Sequence, residues 1–211
     1  MQPSQANRWV SEPRFAPYLH AAGGDHELAV ELYVWNAQVA ASLMETVHHV
    51  EVLLRNAIDA QFTPVDHHAP ATRSWLCDPT VLNVYSRQRV DETIRRVQRG
   101  GRTATRGRVV AGVSFGFWRA LFDRRYQQLW ITHLHQAFPH GTGDRREIAT
   151  IMAALVPFRN RLAHQETIAL RPVNGHHETM LKLAGLIDPD AATWIESIST
   201  LSTVTKDKPH H

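Results

Sequence analysis

Apolar residues recur every three or four positions along most of this chain, and no runs of strict alternation joined by hairpin turns appear. That period is the helical one, in which residues three and four apart share a face. The clearest case lies between Asp25 and Phe62. Leu28, Leu32, Trp35, Val39, Leu43, Val47, Val50, Leu54 and Ile58 form one stripe, uninterrupted by proline or glycine. Asp25 can accept hydrogen bonds from the unpaired amides of the first turn, and Glu27 adds negative charge at the positive end of the helix dipole. The stripe marks the principal helix of an all-α bundle, for which the remaining pattern predicts about five to seven helices.

Around that helix the punctuation is frequent. Pro3, Pro13, Pro17, Gly23 and Gly24 make residues 1–24 an irregular lead, with Phe15, Tyr18 and Leu19 on one short apolar turn. Pro64 to Ser74 reads as a loop. Asp78-Pro79 reads as the start of a helix to about Gln98 that turns Val81, Leu82, Tyr85, Val90, Ile94 and Val97 inward. Gly100 to Gly107 is a candidate mobile basic loop. Ser114 can cap a helix carrying Phe115, Phe117, Trp118, Leu121 and Phe122, and a further apolar run reaches from Leu129 to Phe138. Those aromatics fit a core or, on the other reading, a base-stacking platform. Thr142 or Asp144 caps a helix with Ile148, Ile151, Met152 and Leu155, which Pro157 either kinks or restarts. Two short closing helices, 179–186 and 191–201, precede a frayed tail over 203–211, where His210 and His211 read as tag remnants.

Length and composition add limits. A chain of 211 residues with 43% hydrophobic and 20% charged residues suits a single globular domain over 1–211. The lone Cys77 allows no internal disulfide and no thiolate metal cluster. No segment is apolar for long enough to span a bilayer, so a cytoplasmic protein is the default expectation. Charge is uneven. Between Arg87 and Arg125 eleven arginines stand against three acidic residues, a local excess of eight in a chain whose net charge is +3. Such a basic third suggests a polyanionic partner, although a chain with only three lysines is arginine-rich for other reasons as well.

Candidate chemistry narrows quickly. Adjacent histidines (His48-His49, His67-His68, His176-His177) diverge by ~100° on a helix and do not chelate one ion easily, so neither a metal nor another cofactor is expected. No Gly-x-Ser-x-Gly elbow occurs, and Gly100 to Gly107 lacks the spacing of a nucleotide-binding glycine loop. What remains is Phe158-Arg159-Asn160-Arg161-Leu162-Ala163-His164-Gln165-Glu166. Arginine is a permanent planar cation suited to phosphate, and histidine is the side chain that exchanges protons near neutrality. Arg159 and His164 are about 140° apart on an ideal helix, whereas Asn160 and His164 share a face. The residues alone read more readily as a helix C-terminus, with His164 near the last carbonyls and Arg161 in solvent. Glu51 and Arg55, followed by Asn56, sit beside the long stripe, either as a surface ion pair or aimed at a neighbouring helix.

The Arg159 to Glu166 segment resembles the Arg-polar-x-x-x-His motif of the HEPN superfamily. Leu32 to Asn36, Val50 to Ile58 and Ser114 to Trp118 resemble further signatures of its Abi-like (AbiD/AbiF type) bacterial abortive-infection branch, in the same order. The resemblance implies a HEPN-like helical bundle with additional helices. It also implies a homodimer in which two motifs meet to cleave RNA without a metal, by attack of a 2′-hydroxyl on the adjacent phosphate. Arg159, Asn160 and His164 would then be catalytic, and Glu51, Arg55 and Asn56 supporting. Gln165 departs from the pattern, standing where a second histidine is common. Arg95, Arg96, Arg99, Arg102, Arg106 and Arg108 would hold RNA. The setting implied is a toxin-like effector of phage defence, with an antitoxin protein or RNA as a further partner. Two other classes compete: a non-catalytic HEPN module that binds RNA or a partner protein, and an oligomerising structural protein.

Overall fold

Asp25 caps the longest helix as its sequence predicts, its Oδ1 accepting from Glu27 N at 2.8 Å and Leu28 N at 3.2 Å. The computed structural model describes residues 3–63, 66–170 and 172–210. Pro64 of the predicted loop and the C-terminal His211 fall outside them. Among the described residues there are eleven α-helices and no strand, so the fold is all-α. In chain order these are α1 (Pro3–Val10), α2 (Glu12–Ala21), α3 (His26–Asp59), α4 (Val84–Arg99), α5 (Arg106–Gly112), α6 (Phe115–Ala120), α7 (Gln127–Thr132), α8 (Arg145–Ala163), α9 (Asn174–Ile187), α10 (Pro189–Ile198) and α11 (Leu201–Lys206).

The 34 residues of α3 form the axis. All nine residues of the predicted stripe are buried, and α2, α5, α8, α9 and α11 pack along the helix. A buried Leu, Ile or Val side chain contributes roughly 1.5–3 kcal/mol, so a helix this long with one apolar face organises the elements around it. The aromatic segment after Ser114 is core. Phe115, Phe117, Trp118, Leu121 and Phe122 are buried, which removes them as a base-stacking surface.

Several boundaries differ from the sequence expectation. Helix α4 starts at Val84 rather than Pro79: Asp78 accepts from Thr80 N and Thr80 Oγ1 and so closes a tight turn, while Asn83 Oδ1 caps α4 through Ser86 N. Tyr85 is therefore exposed, not inward. Residues 100–105 are held by the loop before them, since Ala71 N donates to Ala104 O at 2.9 Å and Pro70 bridges Thr105. The predicted frayed tail contains the last turn of α11. Trp35 Nε1 donates to Val204 O at 2.7 Å and Thr200 Oγ1 meets Ser42 Oγ, tying this segment to α3. No helix among the described residues is long and apolar enough to cross a membrane.

Candidate functional site

Helix α8 runs through Pro157 without interruption and ends at His164, its C-cap. The ending is a Schellman motif: Gln165 N donates to Leu162 O at 3.0 Å, and Glu166 N to Arg161 O at 3.1 Å. The motif needs a left-handed residue after the cap, and Gln165 supplies it with φ 54° where glycine is the unstrained choice. Neighbouring elements hold this geometry in place. Asn36 of α3, buried at 4% exposure, accepts with its Oδ1 from Ile168 N and Ala169 N at 2.8 Å each and donates from Nδ2 to Glu166 O at 3.3 Å. Arg14 of α2 donates to His164 O at 3.4 Å. The His164 backbone is thus fixed from both sides while its imidazole is exposed and, among the described residues, makes no hydrogen bond.

Arg159 faces the other way, toward α3. It is half-buried, and its Nε is shielded from solvent without a hydrogen-bond partner. Glu51 of α3 lies near it. Burial raises the Glu51 carboxyl above its ordinary range, and the charges that oppose this are, in order, Arg159, Arg55 and His48. Arg55 reaches past Glu51 to α5, its Nη1 donating to Ala111 O at 3.5 Å. Among the described residues no ion pair joins Glu51 and Arg55; Arg55 reaches α5, and Glu51 lies near Arg159 of α8. Asn56 and Asn160 are exposed, and among the described residues neither side chain makes a hydrogen bond.

The Arg159 to His164 motif is therefore divided between two sides of α8, as the ideal helix predicts. Arg159 joins Glu51 and Arg55 at the α3 contact, and His164 stands at the helix end. Arg161 is not in solvent. Its guanidinium lies 5.5 Å from the Phe158 ring centre, and its Nη2 is 3.4 Å from Nε2 of His176, which stacks on Phe158. Burial, then the Arg161 charge, lowers the His176 pKa and favours the neutral ring. Sequence reasoning gave no role to Asn36, Arg14 or His176. Asn36 is the traceable one, an amide within the buried stripe beside Leu32, Trp35 and Val39.

The arginines of the basic third separate into two kinds. Arg95, Arg96, Arg99, Arg102 and Arg108 are exposed. Arg106 is not, which corrects its expected role in holding RNA. It is 4% exposed, and its Nε donates to both carboxylate oxygens of Asp59 at 2.9 and 3.2 Å. Its Nη2 donates to the carbonyls of Asp59 and Phe62, and Trp75 Nε1 also donates to Asp59. This buried network joins α3, α5 and the loop between α3 and α4.

Among the described residues no three His, Cys, Asp or Glu side chains gather where they could hold a metal ion. The chain matches no protein-family model, no curated protein and no solved structure.

Proposed function

We propose that this chain is a metal-independent endoribonuclease of the HEPN kind, acting as a homodimer. The observation that supports this best is the Arg159 environment: a half-buried guanidinium with an unpaired Nε, beside Glu51 and Arg55, one turn and a half before an exposed, backbone-anchored histidine. A guanidinium with donors to spare can stabilise charge that develops on phosphate oxygens. An imidazole with a fixed backbone and a free ring can transfer protons.

In the proposed reaction one His164 removes the proton from an RNA 2′-hydroxyl, and the oxygen attacks the neighbouring phosphorus. The bond to the 5′-oxygen breaks, and the imidazolium so formed, or the His164 of the second copy, donates a proton to that oxygen. Arg159 neutralises the non-bridging oxygens meanwhile. The products are a 2′,3′-cyclic phosphate and a 5′-hydroxyl. DNA, without a 2′-hydroxyl, is not cut. The biological setting in this proposal is the one the resemblance implies: a toxin-like abortive-infection effector acting on RNA and restrained by an antitoxin.

The test is cleavage of RNA by the purified chain in excess chelator, with the product ends identified. Arg159→Ala and His164→Ala should each lose activity by about two orders of magnitude or more, the scale of a lost oxyanion donor or proton carrier. Equal cleavage by the wild type and both variants, or RNA bound but never cut, overturns the proposal.

A further inference from the structure

Helices α4 and α5 approach closely because Gly112 has no side chain: a Cβ there would lie 2.8 Å from Thr93 Cγ2 and 3.5 Å from Arg96 Nη2. Beside this contact is an open groove of about 400 Å³, with Arg96, Arg102 and Arg108 around a floor of Val97, Ala111 and Gly112. No acidic residue lines it. Two of the three guanidinium groups are anchored by single bonds, Arg96 Nη2 to Gly112 O and Arg108 Nη1 to Thr103 O. A guanidinium has five N–H donors, so most of each remains unused. Among the described residues the Arg102 side chain has no hydrogen-bond or ion-pair partner.

Three cations around one concavity without a carboxylate repel one another until an anion enters, and phosphate suits the forked donors of arginine. The groove also connects to the centre described above. Its floor residue Ala111 accepts from Arg55, which lies one turn of α3 beyond Glu51, and Glu51 senses Arg159. The cations thus run from Arg159 through Arg55 to Arg96, Arg102 and Arg108.

We infer that the α4–α5 groove is a backbone-phosphate subsite for the strand cut at Arg159, so that the substrate is single-stranded RNA long enough to occupy both places. The identity of the strand rests on the proposed function; the phosphate subsite does not. The groove contacts phosphates rather than bases, so it holds RNA and DNA strands alike and has little preference for sequence.

Binding of a fluorescent 2′-deoxy strand of about ten nucleotides, within the range of single-strand sites, tests the groove without any cleavage. Replacing Arg96, Arg102 and Arg108 together with Gln should weaken binding about tenfold at low salt and reduce the salt slope by roughly 2, the value for three phosphates on a single strand. The same charge change at Arg119, Arg124 and Arg125 should leave both nearly unchanged. Arg102→Glu, which breaks no side-chain hydrogen bond among the described residues, should weaken binding without moving the melting temperature. An unaltered salt slope in the groove variant, or an equal loss in the control variant, overturns the subsite. With RNA, the groove variant should cut long strands more slowly and dinucleotides at the wild-type rate; equal slowing on both also overturns it. If the wild type cuts neither, the nuclease reading fails and the binding measurements still decide the groove.

Discussion

Glu51 has a folded-state cost that its neighbours do not fully repay. Burial raises its carboxyl above the ordinary glutamate range although Arg159, Arg55 and His48 all act to lower it. A carboxyl that binds its proton more tightly in the folded chain than in the unfolded one withdraws stability as pH rises from its unfolded pKa through its folded one. Above the ordinary carboxylate range Glu51 is therefore a net cost to folding. Glu51→Gln removes that cost, so the melting temperature at pH 7 should hold or rise, and the loss of stability above the ordinary carboxylate range should flatten. RNA cleavage should nevertheless fall, because the carboxyl that lies near Arg159 is gone. A melting temperature that drops together with activity would make Glu51 a support of the fold instead.

Among the elements, the segment after α8 depends on one side chain from α3. Asn36, itself buried, satisfies two amides and one carbonyl of residues 166–169. Asn36→Leu keeps the volume and removes all three bonds, leaving buried backbone groups unpaired at a cost of roughly 1–3 kcal/mol each, partly relieved by local opening. The expected result is lower stability in urea together with faster amide exchange at Gln165 to Leu170, while exchange within α3 away from Asn36 changes little. Uniform acceleration across the chain would contradict this local role.

That clamp also marks how far the sequence could be read. Helix α3 was legible because nine apolar residues repeat on one face, and the Asp25, Ser114 and Asp144 caps because a single side chain determines each. Short helices were not. A helix of six to eight residues, such as α1, α5 or α7, buries too few positions to reveal a period, which explains eleven helices where about five to seven were expected. Arg106 illustrates the other limit. Nothing local distinguishes it from Arg102 or Arg108, and its partner Asp59 is distant in sequence, so its burial follows from tertiary contact alone. At the site, the separation of Arg159 from His164 around α8 was legible from helical geometry; the facing of Arg159 toward Glu51 required the packing of α3 against α8.

For the whole molecule, that separation determines what a dimer must accomplish. One chain presents Arg159 at the α3 contact and His164 at the end of α8, with no hydrogen bond between them. If two copies combine their motifs into one site, an Arg159→Ala dimer retains both histidines and no arginine, whereas a His164→Ala dimer retains both arginines and no histidine. A mixed dimer holds one of each. Mixing the two inactive variants under conditions that allow exchange of subunits should therefore restore cleavage that neither has alone, with the same 2′,3′-cyclic phosphate ends. Light scattering should show the mixed species at the mass of two chains. Mixed dimers that form and remain inactive would mean that each chain needs its own Arg159 and His164 together, and the shared site would have to be abandoned.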